Sequence, residues 1–349
     1  MSNGLAHSAY LWDLAVIILE GRPVTETRLI HVATAGNANI AAPFMAMAWT
    51  LSRSAQICPI KLHIVDGGLR SLTSSVLERL VSASGGQFEV HWIQLSEQMT
   101  LSLPTAPGYP KEAFMRLLLP VLLSSLKKVI WLDCDVLLST NLEELWSTEM
   151  HGYPAAAVQE YGARSVKGMV SEAMLEGACL GNKASLAGFN SGVMLLNLEE
   201  WRAQGLGEKV LSLSRHYASS LRFADQDALN VVLAGAWHKL DLEWNVQIGA
   251  LRSIPRVPAE RIAEEVLQRE TQLLKYPRII HFAGSKPWMS GLRSPFRSNY
   301  FEALRNSGYY SPMDFKMTYL SATWPAITFF LARRWKKLRG EDDKLLRQE

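Results

Sequence analysis

From Leu29 onward the chain alternates short apolar runs with helix-like stretches, and this limits its fold more than any other feature. Leu29–Ala33, Ile60–Val65, Phe88–Leu95 and Val129–Leu132 read as strands. Ala42–Ser54, Leu72–Ser84 and Lys111–Leu119 read as helices between them, with Ser71 placed to cap the second and Pro120 to end the third. Alternation at this spacing predicts an α/β fold with a mostly parallel sheet and helices on both faces. Beyond Leu132 the chain offers strands at Ala155–Val158, Val193–Leu198 and Arg278–Phe282, a polar loop over Tyr161–Gly188, and helices through Glu199–Tyr217 and from Asp225. No linker-like stretch interrupts residues 29–308, which read as one domain between an N-terminal extension, 1–28, and a C-terminal tail, 309–349.

In sheets of this kind ligands sit beyond the carboxyl ends of the strands. There the run Val129-Ile-Trp-Leu132 stops at Asp133-Cys-Asp135. Carboxylates at the mouth of a buried strand are costly unless a cation or donor compensates them. At i and i+2 of an extended chain both point the same way. That arrangement suits one hard divalent ion, with positions left for phosphate oxygens. The motif alone is weak. Asp-x-Asp arises by chance at an appreciable rate in a chain of this length, so such a match is only a hypothesis, and two aspartates also mark turns and helix caps. Haloacid-dehalogenase-type phosphohydrolases open on the same strand-plus-Asp-x-Asp pattern, with the first aspartate as nucleophile.

Three further clusters bear on the choice. His281 closes a strand in the run Ile279-Ile-His-Phe-Ala-Gly-Ser-Lys-Pro-Trp288. A lone histidine there is usually structural, but Gly284 lets backbone approach a ligand and Lys286 is a point charge suited to phosphate. Imidazole beside two carboxylates favours Mn²⁺ over Mg²⁺. Asn190-Ser-Gly192, before an apolar strand, reads as a turn or as an amide surface for hydroxyls. Asp225-Gln-Asp227 opens a helix; Asp225 is a reasonable N-cap, but three successive polar side chains cannot all be caps.

Taken in order, these pieces resemble glycosyltransferase family 8 over residues 30–304. Among its members the chain is most similar to bacterial enzymes that add galactose or glucose to lipopolysaccharide or lipooligosaccharide cores. The resemblance implies a GT-A (Rossmann-like) fold and a retaining hexosyltransferase using a UDP-hexose and Mn²⁺, with Mg²⁺ as the substitute. It implies Asp133, Asp135 and His281 as metal ligands, with Asp133 also near the ribose. Gly284 and Lys286 would hold the diphosphate, and Arg116 would face the phosphate or sugar. Asn39 belongs to the opening strand's motif. Asn190, Asp225 and Gln226 would line the sugar, the last two as the catalytic candidates, and Glu160 matches an acidic acceptor-side position.

Two departures stand out. The family's opening strand usually ends in an aspartate that reads the uracil ring, and here Asn37 stands in its place. An amide oxygen still accepts from a base N–H, without charge. Gly284-Ser-Lys286 is one residue shorter than the common spacing. The phosphohydrolase alternative needs a later acidic pair, and the chain's Asp-Asp, Asp342-Asp343, lies in the charged tail. A nucleotide-sugar-binding partner with impaired catalysis is a second alternative, motivated by Asn37.

Composition narrows the setting. A net charge of +3 is too small to argue for nucleic acid. Three scattered cysteines form no framework and fit a reducing cytosol. The early run Leu14–Leu19 lacks a basic lead and a cleavage site, so no signal peptide is expected. Met317–Ala332 is uncharged and aromatic, and five basic residues follow within Arg333–Arg339. An amphipathic, helical tail on an anionic membrane surface is therefore expected, with a saccharide or lipid-linked glycan as acceptor met at the inner face of the cytoplasmic membrane.

Overall fold

Beyond its apolar stretch, β1 (Ile30–Gly36) carries small residues, Ala33, Thr34 and Ala35, toward a sheet mouth where bulk would close the cleft. It pairs in parallel with β2 (Ile60–Asp66) and β4 (Lys128–Leu132), and β2 pairs in parallel with β3 (Phe88–Gln94). The computed structural model describes residues 29–319, apart from 257, 285, 290–293 and 317. The expectations for 1–28 and for the tail beyond 319 lie outside the described residues.

The main sheet continues through β7 (Phe189–Asn197), β6 (Ala155–Gln159) and β8 (His238–Lys239), in the order β3-β2-β1-β4-β7-β6-β8. A smaller sheet joins β5 (Val136–Leu138), β10 (Ile279–His281) and β9 (Val246–Gln247), with β10 central. The α/β class and the mostly parallel main sheet agree with the sequence. The direction of β7 does not: it runs antiparallel to both β4 and β6. This reversal brings its first residues, Asn190 to Gly192, beside the end of β4; a parallel strand would carry them to the opposite edge.

Helices cover both faces. On one, Ala41–Ser54 buries Phe44, Met45, Met47 and Leu51 completely, and its alanines allow close approach to the sheet. Tyr300, Phe301 and Leu304 of the helix Arg297–Asn306 join the same core. On the other face Phe114, Trp131, Trp201 and Leu229 pack together. Each fully buried side chain of this size contributes about 1.5–3 kcal/mol. Among the described residues no helix is long and apolar enough to cross a membrane.

Local differences from the sequence reading have clear causes. Ser71 does not cap its helix, which begins at Arg70; Asp66 instead accepts from the backbone N–H groups of Gly68 and Arg70, at 2.8 and 3.1 Å. Lys111–Leu118 is a 3-10 helix, and Pro120 sits in the first turn of a new helix, Leu119–Leu122, where its missing N–H costs nothing. The expected helix over Glu199–Tyr217 breaks at Gly205, whose φ of +61° ends Leu198–Gln204 and admits Leu206–His216 at a new angle. Short helices occupy parts of the expected loop 161–188, among them Glu172–Ala178.

Candidate active site

β4 ends at Leu132, and the chain makes a turn through Cys134 and Asp135 before β5 begins at Val136, where the sequence led us to expect an extended chain. Cys134 turns inward between Thr34 and the Ala35 carbonyl, 3.3 Å from each. Asp133 and Asp135 face the mouth of the sheet. The antiparallel pairing of β5 with β10 sets His281 opposite Val136, and Phe282 N–H donates to the Asp135 carbonyl at 3.0 Å. His281 Nε2 lies 3.4 Å from Asp135 Oδ1 and 3.9 Å from Asp133 Oδ2. One donor atom from each of the three lies within 4.8 Å of the others.

The backbone makes room for this cluster. A Cβ on Gly192 would stand 2.1 Å from His281 Cε1, so no other residue fits without moving the imidazole. Asn245 Oδ1 lies 2.9 Å from His281 Nδ1, which fixes the ring and leaves Nε2 toward the carboxylates. Asn245 also donates to Asn190 Oδ1 at 2.9 Å.

Two cations close the ring. Lys286 contacts Asp135 Oδ2 directly. Burial works to raise the Asp135 carboxyl, but Lys286 and His281 outweigh it and hold it well below the usual carboxylate range. Arg116 is buried, its guanidinium 4.6 Å from the centre of the Trp131 ring. It lies 3.2 Å from Asp133 and donates to the Ser191 carbonyl. Its Nε stands 2.7 Å from Asp225 Oδ2, a close ion pair whose N–H is not aligned for a hydrogen bond. Burial pushes the Asp225 carboxyl up to about 7, against the pull of Arg116, and the nearby Asp133 charge adds to the rise.

Gln226 and Glu160 form the second part of the site. Gln226 Oε1 accepts from Ser191 N–H at 3.0 Å and lies 3.3 Å from its hydroxyl. Gln226 Nε2 donates to Glu160 Oε2 at 3.4 Å, and Asn190 donates to the same oxygen at 3.0 Å. The helix Asp225–Val232 starts from Ala224, with φ +50° and no side-chain cap, so Asp225 is not the N-cap. Asp227 instead reaches back to Arg222 N–H at 2.6 Å. A non-glycine residue in this conformation is strained, and it sits directly before two catalytic candidates.

A cleft of about 270 Å³ runs along this cluster, lined by Asn37, Glu112, Arg116, Asp133, Asp135 and Lys286 among others. Of the residues singled out by sequence, Asn37, Arg116, Asp133, Asp135 and Lys286 reach it. His281, Asn190, Asp225, Gln226 and Glu160 stand behind or beside them through the contacts above. Asn39 is exposed and donates its N–H to Asn37. Gly284, φ +67°, turns the chain after β10, 3.9 Å from Gly249 as measured from where its Cβ would be. Sequence reasoning missed Asn245, Glu112 and Asn230. Asn230 bonds both the N–H and carbonyl of Phe189, at 2.7 and 2.8 Å, and the carbonyl of Gln226. Its place one turn after Gln226 was a usable signal; Asn245 and Glu112 carried none.

The donor set fits a divalent cation. Two carboxylates and an oriented imidazole converge, a set of oxygen and imidazole donors that such an ion takes. Comparisons with known proteins define the family. Residues 31–291 match the description "Glycosyl transferase family 8". The chain belongs to that family and is a hexosyltransferase. It is 27% identical over 279 residues to general stress protein A of Bacillus subtilis, covering 78% of this chain and 92% of that protein. It is 27% identical over 238 residues to the lipopolysaccharide 1,2-glucosyltransferase of Escherichia coli, covering 67% and 66%. The solved structure of the galactosyltransferase LgtC, with donor and acceptor sugar analogues, superposes with a TM-score of 0.66 at 19% identity, covering 83% of this chain and all (100%) of that one. The fold is of the GT-A type.

Proposed function

We propose that this hexosyltransferase moves galactose or glucose, with retained configuration, from a UDP-sugar to a saccharide of the lipopolysaccharide or lipooligosaccharide-core class. The observation that carries this reading is the convergence of His281 on Asp133 and Asp135, which line a cleft that also presents Lys286. These three would hold Mn²⁺, or Mg²⁺ in its stead, which when bound supplies positive charge to the departing diphosphate. Lys286, released from Asp135, offsets phosphate charge from the protein side, with Gly284 shaping the turn beside it. Arg116 is a positioning residue: it holds Asp133 and Asp225 in place from within the core.

The sugar side follows from the amide network. In the reaction the bond from the sugar C1 to the diphosphate oxygen breaks, and a bond from the acceptor hydroxyl to C1 forms on the same face. The hydroxyl proton passes to the departing diphosphate. Gln226 Oε1 already faces two donors on Ser191, so its lone pairs are engaged and it is poorly placed to attack C1. This favours same-face transfer through an oxocarbenium-like state over a covalent intermediate. Asn190, Gln226 and Asp225 then set the sugar's surroundings, and Glu160, which accepts from both amides, lies toward the acceptor. The test is incubation with Mn²⁺ and a panel of nucleotide sugars. Slow release of hexose from UDP-galactose or UDP-glucose, abolished by EDTA, is expected. Release that is equal in EDTA, or confined to non-uridine donors, would overturn it.

The acceptor is read as a lipid-linked or membrane-borne glycan. The similarity to a lipopolysaccharide glucosyltransferase supports this, as does the sequence order of the tail, uncharged and aromatic and then basic. Each basic residue near anionic lipid contributes about 1 kcal/mol. Full-length protein should sediment with anionic vesicles at low salt and leave them at high salt. No sedimentation at low salt would remove the membrane from this picture.

A further inference from the structure

Asn37 stands where an aspartate would read the donor's base, yet its own side chain is largely committed. Its Oδ1 accepts from Asn39 N–H at 3.0 Å, and its Nδ2 donates to Glu112 Oε2 at 3.1 Å. Glu112 belongs to the 3-10 helix Lys111–Leu118, one turn before Arg116, and it lines the same cleft. Among the described residues Asn37 is its one hydrogen-bond partner, and its other oxygen, Oε1, has none. The fold makes a specific place for this side chain. A Cβ on Gly67 would lie 2.4 Å from Glu112 Cγ and 2.8 Å from its Oε1. Glycine at 67, held by its N–H to the Gly36 carbonyl at 2.9 Å, lets the carboxylate lie against the end of β1.

We propose that Glu112, and not Asn37, supplies the charged acceptor for the ring N–H of the donor's uracil, with Asn37 holding that carboxylate in position. The proposal rests on reading the cleft as a nucleotide-diphosphate site. The surroundings suit a flat heterocycle. Ile40 and Pro43, after Asn37, and Pro110 and Ala113, on either side of Glu112, line the cleft with apolar surface. Lys286, and the cation that Asp133 and Asp135 would hold, are left for the diphosphate. Uracil presents an N–H between two carbonyls. Glu112 Oε1 accepts from the N–H, and the second hydrogen of Asn37 Nδ2 is free for a ring carbonyl, so acceptor and donor stand side by side as that edge requires. A carboxylate bonded to N–H is stronger than a neutral amide in the same role. The charge missing at position 37 is thus restored from a neighbouring helix, and base preference is retained by a different residue.

Glu112→Gln is the informative variant, because its amide oxygen still accepts from Asn37 and its size still fits above Gly67. Calorimetric titrations in Mn²⁺ with UDP and with inorganic pyrophosphate separate base from diphosphate. For Glu112→Gln, UDP affinity should fall about 10-fold or more, the scale of losing a charge-assisted hydrogen bond, while pyrophosphate affinity stays within about twofold. The double variant Asn37→Asp with Glu112→Gln moves the carboxylate to the strand end and should recover most of the UDP affinity. Unchanged UDP affinity in Glu112→Gln, or an equal loss for UDP and pyrophosphate, would overturn the proposal alone. If the wild-type protein binds neither probe, the nucleotide-diphosphate reading of the cleft falls, and this proposal with it.

Discussion

Asp135→Ala is expected to reduce sugar transfer by about 10²–10³-fold or more at saturating Mn²⁺, the scale on which single groups that stabilise developing charge act. Asp135 is the hub of the cluster: His281 Nε2 is 3.4 Å from one of its oxygens and Lys286 contacts the other. Removing it takes away one of three converging donors and frees Lys286. The fold should survive. Lys286 is 32% exposed and can turn to water once its partner is gone, and Asp135 sits after a strand whose pairing does not involve its side chain. Transfer rates alongside circular dichroism check both halves. A variant with activity within tenfold of wild type would remove Asp135 from the chemistry.

Arg116→Met should act on stability as strongly as Asp135→Ala acts on rate. Arg116 lies in the core with a side chain 5% exposed, and Asp225, 2.7 Å away, is buried as deeply. Breaking this buried contact from one side takes the shared cation from Asp133 and forces Asp225 to stay protonated, and one-sided losses of this kind cost about 3–5 kcal/mol. Methionine fills much of the space over Trp131, so the loss reports charge more than volume. Arg116→Lys should rescue little, because one ammonium cannot replace a fork that reaches Asp133, Asp225 and the Ser191 carbonyl together. Urea unfolding monitored by tryptophan fluorescence measures the difference. A loss below about 1 kcal/mol for Arg116→Met, at the scale of an exposed ion pair, would show that Arg116 does not hold this part of the site together.

The parts of this site that were legible in the sequence are those where local pattern and chemistry coincide. Asp133 and Asp135 interrupt an apolar strand, and His281 ends another, so each announced a polar group at a sheet mouth. The strands β1 to β4 were legible because their apolar runs are short and separated by helices of ordinary length. Three other features depend on contacts far apart in the chain. The antiparallel course of β7 is set by its partners β4 and β6, and an apolar run carries no sign of direction. Asn245 matters because it meets His281 of the smaller sheet and Asn190 of the main one, and Glu112 because it meets Asn37 across 75 positions. In the sequence Asp225 reads as a site residue, with a helix cap as the alternative. Its place before a helix suited a cap, but the chain turns one residue earlier, at Ala224, and leaves Asp225 to face Arg116.

The central claim is that Asp133, Asp135 and His281 form a divalent-metal site for the diphosphate of a nucleotide sugar. Calorimetric titration of UDP into wild-type protein, with Mn²⁺ and then with EDTA, measures it most directly when repeated on His281→Ala. UDP binding that is strong in Mn²⁺, weakened at least about 10-fold by EDTA, and similarly weak in His281→Ala with Mn²⁺ present is the expected result, because second partners alone account for 10–100-fold in metal affinity. UDP binding of equal strength with and without the metal, unaffected by His281→Ala, would contradict it.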